Sequence, residues 1–212
     1  DGVSKISSER LLDEFKKLFN SDGFLNLSND EFSCEIISLI FPQFKNIHLL
    51  KNFNKYAIEN IKKMDFIFLI SLMIVDGTDN ADYFIYKFNI SKKNQKRLKD
   101  IDNFYKDKIT VNSFSEKNLN KIFYYQGRQC VLDILSYRLF TLKKVDKNLL
   151  KLTDQFKNKI LPSMPINASF LMEKYEIPAG KDLGKKLKII EEEWVNSNFQ
   201  LTDKQINKII NH

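Results

Sequence analysis

Pro162-Ser163-Met164-Pro165-Ile166-Asn167-Ala168-Ser169-Phe170-Leu171-Met172-Glu173-Lys174-Tyr175-Glu176-Ile177-Pro178-Ala179-Gly180-Lys181-Asp182-Leu183-Gly184 is the stretch from which the fold is read. Pro165 and Pro178 each lack an amide donor and disfavour helix in the residue before them, so they bracket a short helix. After them Leu183, Leu187, Ile190 and Trp194 recur at helical spacing and mark a second, amphipathic helix whose start is flanked by Gly180 and Gly184. The two glycines let a backbone come close to something. Either the helix start packs on its neighbour, or its free amides, with Lys181, Lys185 and Lys186 beside them, receive a phosphate.

Helices account for the rest of the chain more simply than strands do. Six Gly and four Pro in 212 residues leave few turns for a β-sandwich, and 43% hydrophobic with 29% charged residues is ordinary globular composition. Ser7 or Ser8 caps a helix carrying Leu11, Leu12, Phe15, Leu18 and Phe19 on one face. Asn29-Asp30 opens another, through Phe32, Ile36, Ile37 and Ile40 to Pro42; a third is expected from about Lys51 to Lys63. Met64 to Val75 is apolar nearly all round and belongs in the core. Ser91 caps a basic helix, Ser115 opens one that Gly127 interrupts, and two more follow over Cys130–Phe140 and Asp146–Ile160.

The net charge of +7, from 34 Lys and Arg against 27 Asp and Glu, favours a polyanionic partner. Lys92, Lys93, Lys96 and Arg97 cluster after the Ser91 cap, where they are either a solvated face or a set of phosphate contacts that position RNA without reading its sequence. Cys34 and Cys130 form no metal-spaced pair and read as buried thiols of a reducing, cytoplasmic compartment. The longest apolar run is too short to cross a bilayer, and no signal peptide is visible. The first residue, Asp1, reads as the start of a fragment or processed product.

Several tempting motifs are set aside on geometry. Asp76-Gly77-Thr78-Asp79-Asn80-Ala81-Asp82 lacks the register of a calcium loop and reads as a turn and helix cap. Asp100 and Asp102 have the spacing of a metal-binding pair, but on a helix a two-residue offset points them apart, so no catalytic residue is assigned. His48 stands alone, without ligands or a nucleophile partner.

Three segments together resemble class II tRNA nucleotidyltransferases and their bacterial poly(A) polymerase relatives. Ser7-Ser8-Glu9-Arg10-Leu11-Leu12-Asp13-Glu14 is similar to the family's Ser-x-Glu-Arg-x-x-x-Glu neck segment. Tyr124-Tyr125-Gln126-Gly127-Arg128, followed by Asp133, is similar to its Tyr-x-x-Gly body segment. The tail order of short apolar helix, Gly turn, Gly184, amphipathic helix, Glu191, Trp194 and Phe199 is similar to the family's C-terminus. Asn167-Ala168-Ser169 stands where the family usually has Gly-x-Asp, and Lys181 where Pro commonly follows the Gly.

The resemblance implies an all-α, elongated array of neck (1–75), body (76–160) and tail (161–212) helices that grips the acceptor and elbow of tRNA. It implies that Glu9, Arg10 and Glu14 brace the neck, and that Lys92, Lys93, Lys96, Arg97, Arg128, Lys181, Lys185 and Lys186 contact RNA. The whole family enzyme adds CCA, part of it, or poly(A) to RNA 3′ ends with nucleoside triphosphates and magnesium. The head that carries the metal-binding Asp pair is not recognisable here, so this chain is expected to bind RNA, to work with a catalytic head domain as partner and not to catalyse alone. The competing expectation is a freestanding helical protein-interaction domain whose positive charge is incidental.

Overall fold

The computed structural model describes residues 6–21 and 23–211, and among them there are twelve α-helices, several short 3₁₀ turns and no strand. The helices are α1 (Ser8–Phe19), α2 (Glu31–Ile40), α3 (Lys55–Asn60), α4 (Phe66–Ile74), α5 (Asn80–Phe88), α6 (Lys92–Lys106), α7 (Glu116–Gln126), α8 (Arg128–Thr141), α9 (Lys147–Asn158), α10 (Ala168–Tyr175), α11 (Lys181–Asn196) and α12 (Asp203–Ile210). The fold is all-α.

Most helices begin where a short polar side chain satisfies an amide that the first turn leaves without a partner. Ser7, Asp30, Asn54, Asp65, Ser91, Ser115, Asn167 and Thr202 each accept a hydrogen bond from a first-turn backbone N–H. Gly127, at φ 90°, ends α7 in a conformation that a side chain would strain.

The chain divides into two compact units, residues 1–109 with 129–157, and residues 110–128 with 158–212. The junction expected at residue 75 lies inside the first unit, between α4 and α5. Side-chain amides fasten the chain there: Asn46 donates to the Val75 carbonyl at 2.6 Å, and Asn80 donates to the carbonyls of Gln43 and Ile74, both at 2.7 Å. Residues 110–128, expected with the body helices, group instead with the tail.

In the first unit α4 is the central element, with Ile67 to Ile74 all buried. A phenylalanine cluster gathers beside it. Phe15 lies 4.4 Å from Phe44 and 4.8 Å from Phe41 between ring centroids, and Phe41 stacks on Phe88 at 5.6 Å. The single helix expected over Lys51–Lys63 is instead a 3₁₀ turn, α3 and a second 3₁₀ turn. Asn54 breaks it. Its Oδ1 caps Ala57, while its amide donates to the carbonyls of Leu139 at 2.7 Å and Leu142 at 2.8 Å, which holds its backbone extended.

The second unit has a small aliphatic core of Ile166, Leu171, Ile177, Leu183, Ile190 and Ile206. The short helix bracketed by Pro165 and Pro178 is α10, and the amphipathic helix after it is α11. Gly180 caps α11 and Gly184 lies within its exposed face. A Cβ at either glycine would meet nothing within 4 Å, so within this chain neither is needed for a close backbone approach.

Candidate nucleic-acid interface

Each unit carries its own basic surface. In the first unit it is the start of α6, where Ser91 caps the helix and the first turn contains no acidic residue. Lys92 and Lys93 are exposed there and have no ion-pair partner among the described residues, and Lys96 is exposed but pairs with Asp100 at 2.8 Å. A helix N-terminus offers unpaired amides and a partial positive charge, so phosphate oxygens are favoured at this point.

Arg97 does not belong to that surface. Its Nε and Nη2 grip the buried Asp133 at 2.5 and 2.8 Å, and its Nη1 reaches Asp65 at 2.6 Å. Burial opposes the charge on Arg97, but Asp133 and then Asp65 outweigh it and hold the guanidinium above its ordinary value. The residue read as a phosphate contact thus ties α6 to α8 and to the cap of α4. Farther along α6, Asp100 and Asp102 do point apart: Asp100 meets Lys96, while the buried Asp102 pairs with Lys106 at 2.9 Å.

The Asp76–Asp82 segment is the turn and cap expected of it. Asp76 Oδ1 accepts from the Thr78 N–H at 3.0 Å and hydroxyl at 2.7 Å, and Thr78 accepts from the Asn80 N–H. Among the described residues no group of three or more His, Cys, Asp or Glu side chains could hold a metal ion. His48 is exposed.

Glu9, Arg10 and Glu14 are exposed on the outer side of α1, and Glu14 pairs with Lys17 at 2.8 Å. Glu9 nevertheless meets the α6 region. With Asp13, Lys16, Phe66, Asn89, Ser91 and Asn94 it lines a concavity of about 310 Å³.

In the second unit, Lys181 and Lys185 are exposed on α11, while Lys186 is half-buried and donates to the Ile210 carbonyl at 2.7 Å. Asp182 occupies the first turn of α11 and competes with any anion for its amides. Asp182 also lines, with Lys185, Lys186, Glu193, Gln205 and Lys208, a groove of about 560 Å³ between α11 and α12, in which three lysines face two carboxylates. Sequence reasoning missed the α12 residues. The available signal was the Thr202–Gln205 capping box, which fixes Lys208 one turn later on the same helix. Arg128 is exposed but donates to the Lys159 carbonyl at 2.7 Å.

Two of the three segments that carry the family resemblance, Tyr124–Arg128 and the tail, meet in this unit, while the neck segment lies in the first. The Tyr124 hydroxyl donates to Glu191 at 2.6 Å, and its ring lies 5.5 Å from Trp194 and 6.0 Å from Phe199. Asn198 and Phe199 adopt left-handed φ values of 59° and 66°, and this turn lays Phe199 back onto Trp194 at 5.0 Å. The strain is offset by hydrogen bonds: Asn120 donates to Asn198 at 2.5 Å, and the Phe199 N–H to the Trp194 carbonyl at 2.8 Å.

Compared with known proteins, the sequence matches no family model and no curated protein at a significant level. No helix among the described residues is long and apolar enough to cross a membrane.

Proposed function

We propose that the chain is an RNA-gripping helical arm, similar to the neck, body and tail of a tRNA nucleotidyltransferase or poly(A) polymerase. The observation that carries this reading is the start of α6, where exposed Lys92 and Lys93 flank a helix N-terminus with no acid in its first turn. The packing of Tyr124, Glu191, Trp194 and Phe199 supports the family resemblance, because residues quoted from separate segments meet at one place.

In this reading Lys92, Lys93 and Lys96 on one unit, and Lys181, Lys185 and Lys208 on the other, make phosphate contacts that set the register of a structured RNA. Nucleotide addition, with its magnesium and nucleoside triphosphates, belongs to a catalytic head domain that acts with the arm. Mobility-shift titrations of intact tRNA and of an isolated acceptor-stem minihelix test the proposal. Binding to both, tighter for intact tRNA, is expected of an arm that spans acceptor and elbow. Absence of binding to either RNA overturns it.

A further inference from the structure

We propose that the outer face of α2 is a docking surface for a basic amphipathic helix of a protein partner. The helix is well seated on its inner side: Asp30 caps it by accepting from the Ser33 N–H, Ile37 is buried, and the Cys34 thiol donates to the Leu27 carbonyl. Its outer side is apolar. Phe32, Ile36 and Leu39, spaced four and three residues apart, form one stripe and are 69%, 39% and 82% exposed. That spacing is how a helix presents anchors to a protein groove or a second helix, and a contiguous exposed apolar stripe marks an interaction site.

Charge identifies the occupant. In a chain of net charge +7, the segment from Leu18 to Phe44 contains no Lys or Arg but has Asp22, Asp30, Glu31 and Glu35. On α2 itself Glu31 and Glu35 are exposed along one flank of the stripe and enter no ion pair among the described residues. At 100° per residue Glu35 lies 60° from Phe32, so it borders the apolar anchors. A second copy that paired through the same stripe would bring these carboxylates together without a cation, and an anionic membrane or RNA would be repelled. A helix with Lys or Arg beside its apolar residues satisfies both parts of the surface. This site uses none of the residues assigned to RNA and does not depend on them.

The test uses two synthetic helical peptides with the same leucine face, one flanked by Lys and the other by Glu. Each is fluorescein-labelled and titrated with the chain at physiological salt. The Lys-flanked peptide is expected to bind about tenfold or more tightly than the Glu-flanked one. Phe32→Ser/Leu39→Ser, at exposed positions, is expected to weaken it about tenfold with unchanged circular dichroism, and Glu31→Lys/Glu35→Lys to reverse the preference. The proposal is overturned if the Lys-flanked peptide does not bind, or binds the Phe32→Ser/Leu39→Ser chain equally well. It is also overturned if sedimentation shows a dimer, or flotation shows vesicle binding, that this double substitution abolishes, because the occupant is then a second copy or lipid.

Discussion

Arg97 grips Asp133 through two parallel hydrogen bonds, with Nε to Oδ2 at 2.5 Å and Nη2 to Oδ1 at 2.8 Å. The Arg97 side chain is 16% exposed and that of Asp133 4%, so solvent screens the pair weakly. Truncating one partner leaves a buried charge without its counter-ion, a change that typically costs about 3 kcal/mol or more. Arg97→Ala is therefore expected to lower stability in urea denaturation by about 3 kcal/mol, and Arg97→Lys to recover only part because an ammonium cannot make the two-point grip. Lys93→Ala, one turn earlier and exposed, is expected to change stability by less than about 0.5 kcal/mol. Equal effects at the two positions would contradict the structural role of Arg97.

Gly184 lies inside α11 with open space where a Cβ would sit. Glycine in a helix costs about 0.5–1 kcal/mol relative to alanine. Gly184→Ala should raise the thermal midpoint accordingly. A fall in the midpoint would mean that something packs closely against this backbone.

The Tyr124 phenol is pushed up to about 12, first by its hydrogen bond to Glu191 and then by burial and the charge of Glu191. Because the folded value lies above the ordinary value of 10.0, the bond's stabilisation is complete below about pH 10 and is lost as pH rises toward 12. Tyr124→Phe is expected to destabilise the chain by about 1 kcal/mol at pH 8, with the difference from wild type shrinking above pH 10. A constant difference across that range would contradict the assignment.

Burial, followed by the charges of Asp100 and Asp133, pushes the Cys130 thiol up to about 12. Cys34 is only half-buried. Since the thiolate is the reactive form, iodoacetamide at pH 8 is expected to label Cys34 and to spare Cys130 until the chain unfolds. Equal native-state labelling of both would show that α8 opens readily.

The central helix and most helix starts were legible in the sequence because their signals are local. Met64–Val75 is apolar nearly all round, and Ser91, Ser115 and Asp30 stand directly before helical patterns. Long-range partners were not legible. Arg97 reads like its lysine neighbours until Asp133, on α8, is placed against it. Asn54 breaks an otherwise helical pattern through carbonyls on Leu139 and Leu142. The stripe of Phe32, Ile36 and Leu39 carries the same periodicity as a buried face, and nothing local distinguishes an apolar side facing the core from one facing solvent. Trp194 was legible as an apolar helix position and Tyr124 within the Tyr-x-x-Gly resemblance, but their meeting depends on the packing of α7 against α11, and Phe199 joins them through the left-handed turn at Asn198 and Phe199.

The central claim is tested most directly by tRNA binding across a salt series, with the wild-type chain beside Lys92→Glu/Lys93→Glu and Lys181→Glu/Lys185→Glu. Phosphate contacts release counter-ions, so log affinity should fall linearly with log salt, with a slope of about −0.9 per contact on a duplex. Micromolar or tighter binding is expected, with a steep salt slope that each double charge reversal makes shallower while circular dichroism is unchanged. Binding that is absent, insensitive to salt, or equal in all three chains would contradict an RNA-gripping arm.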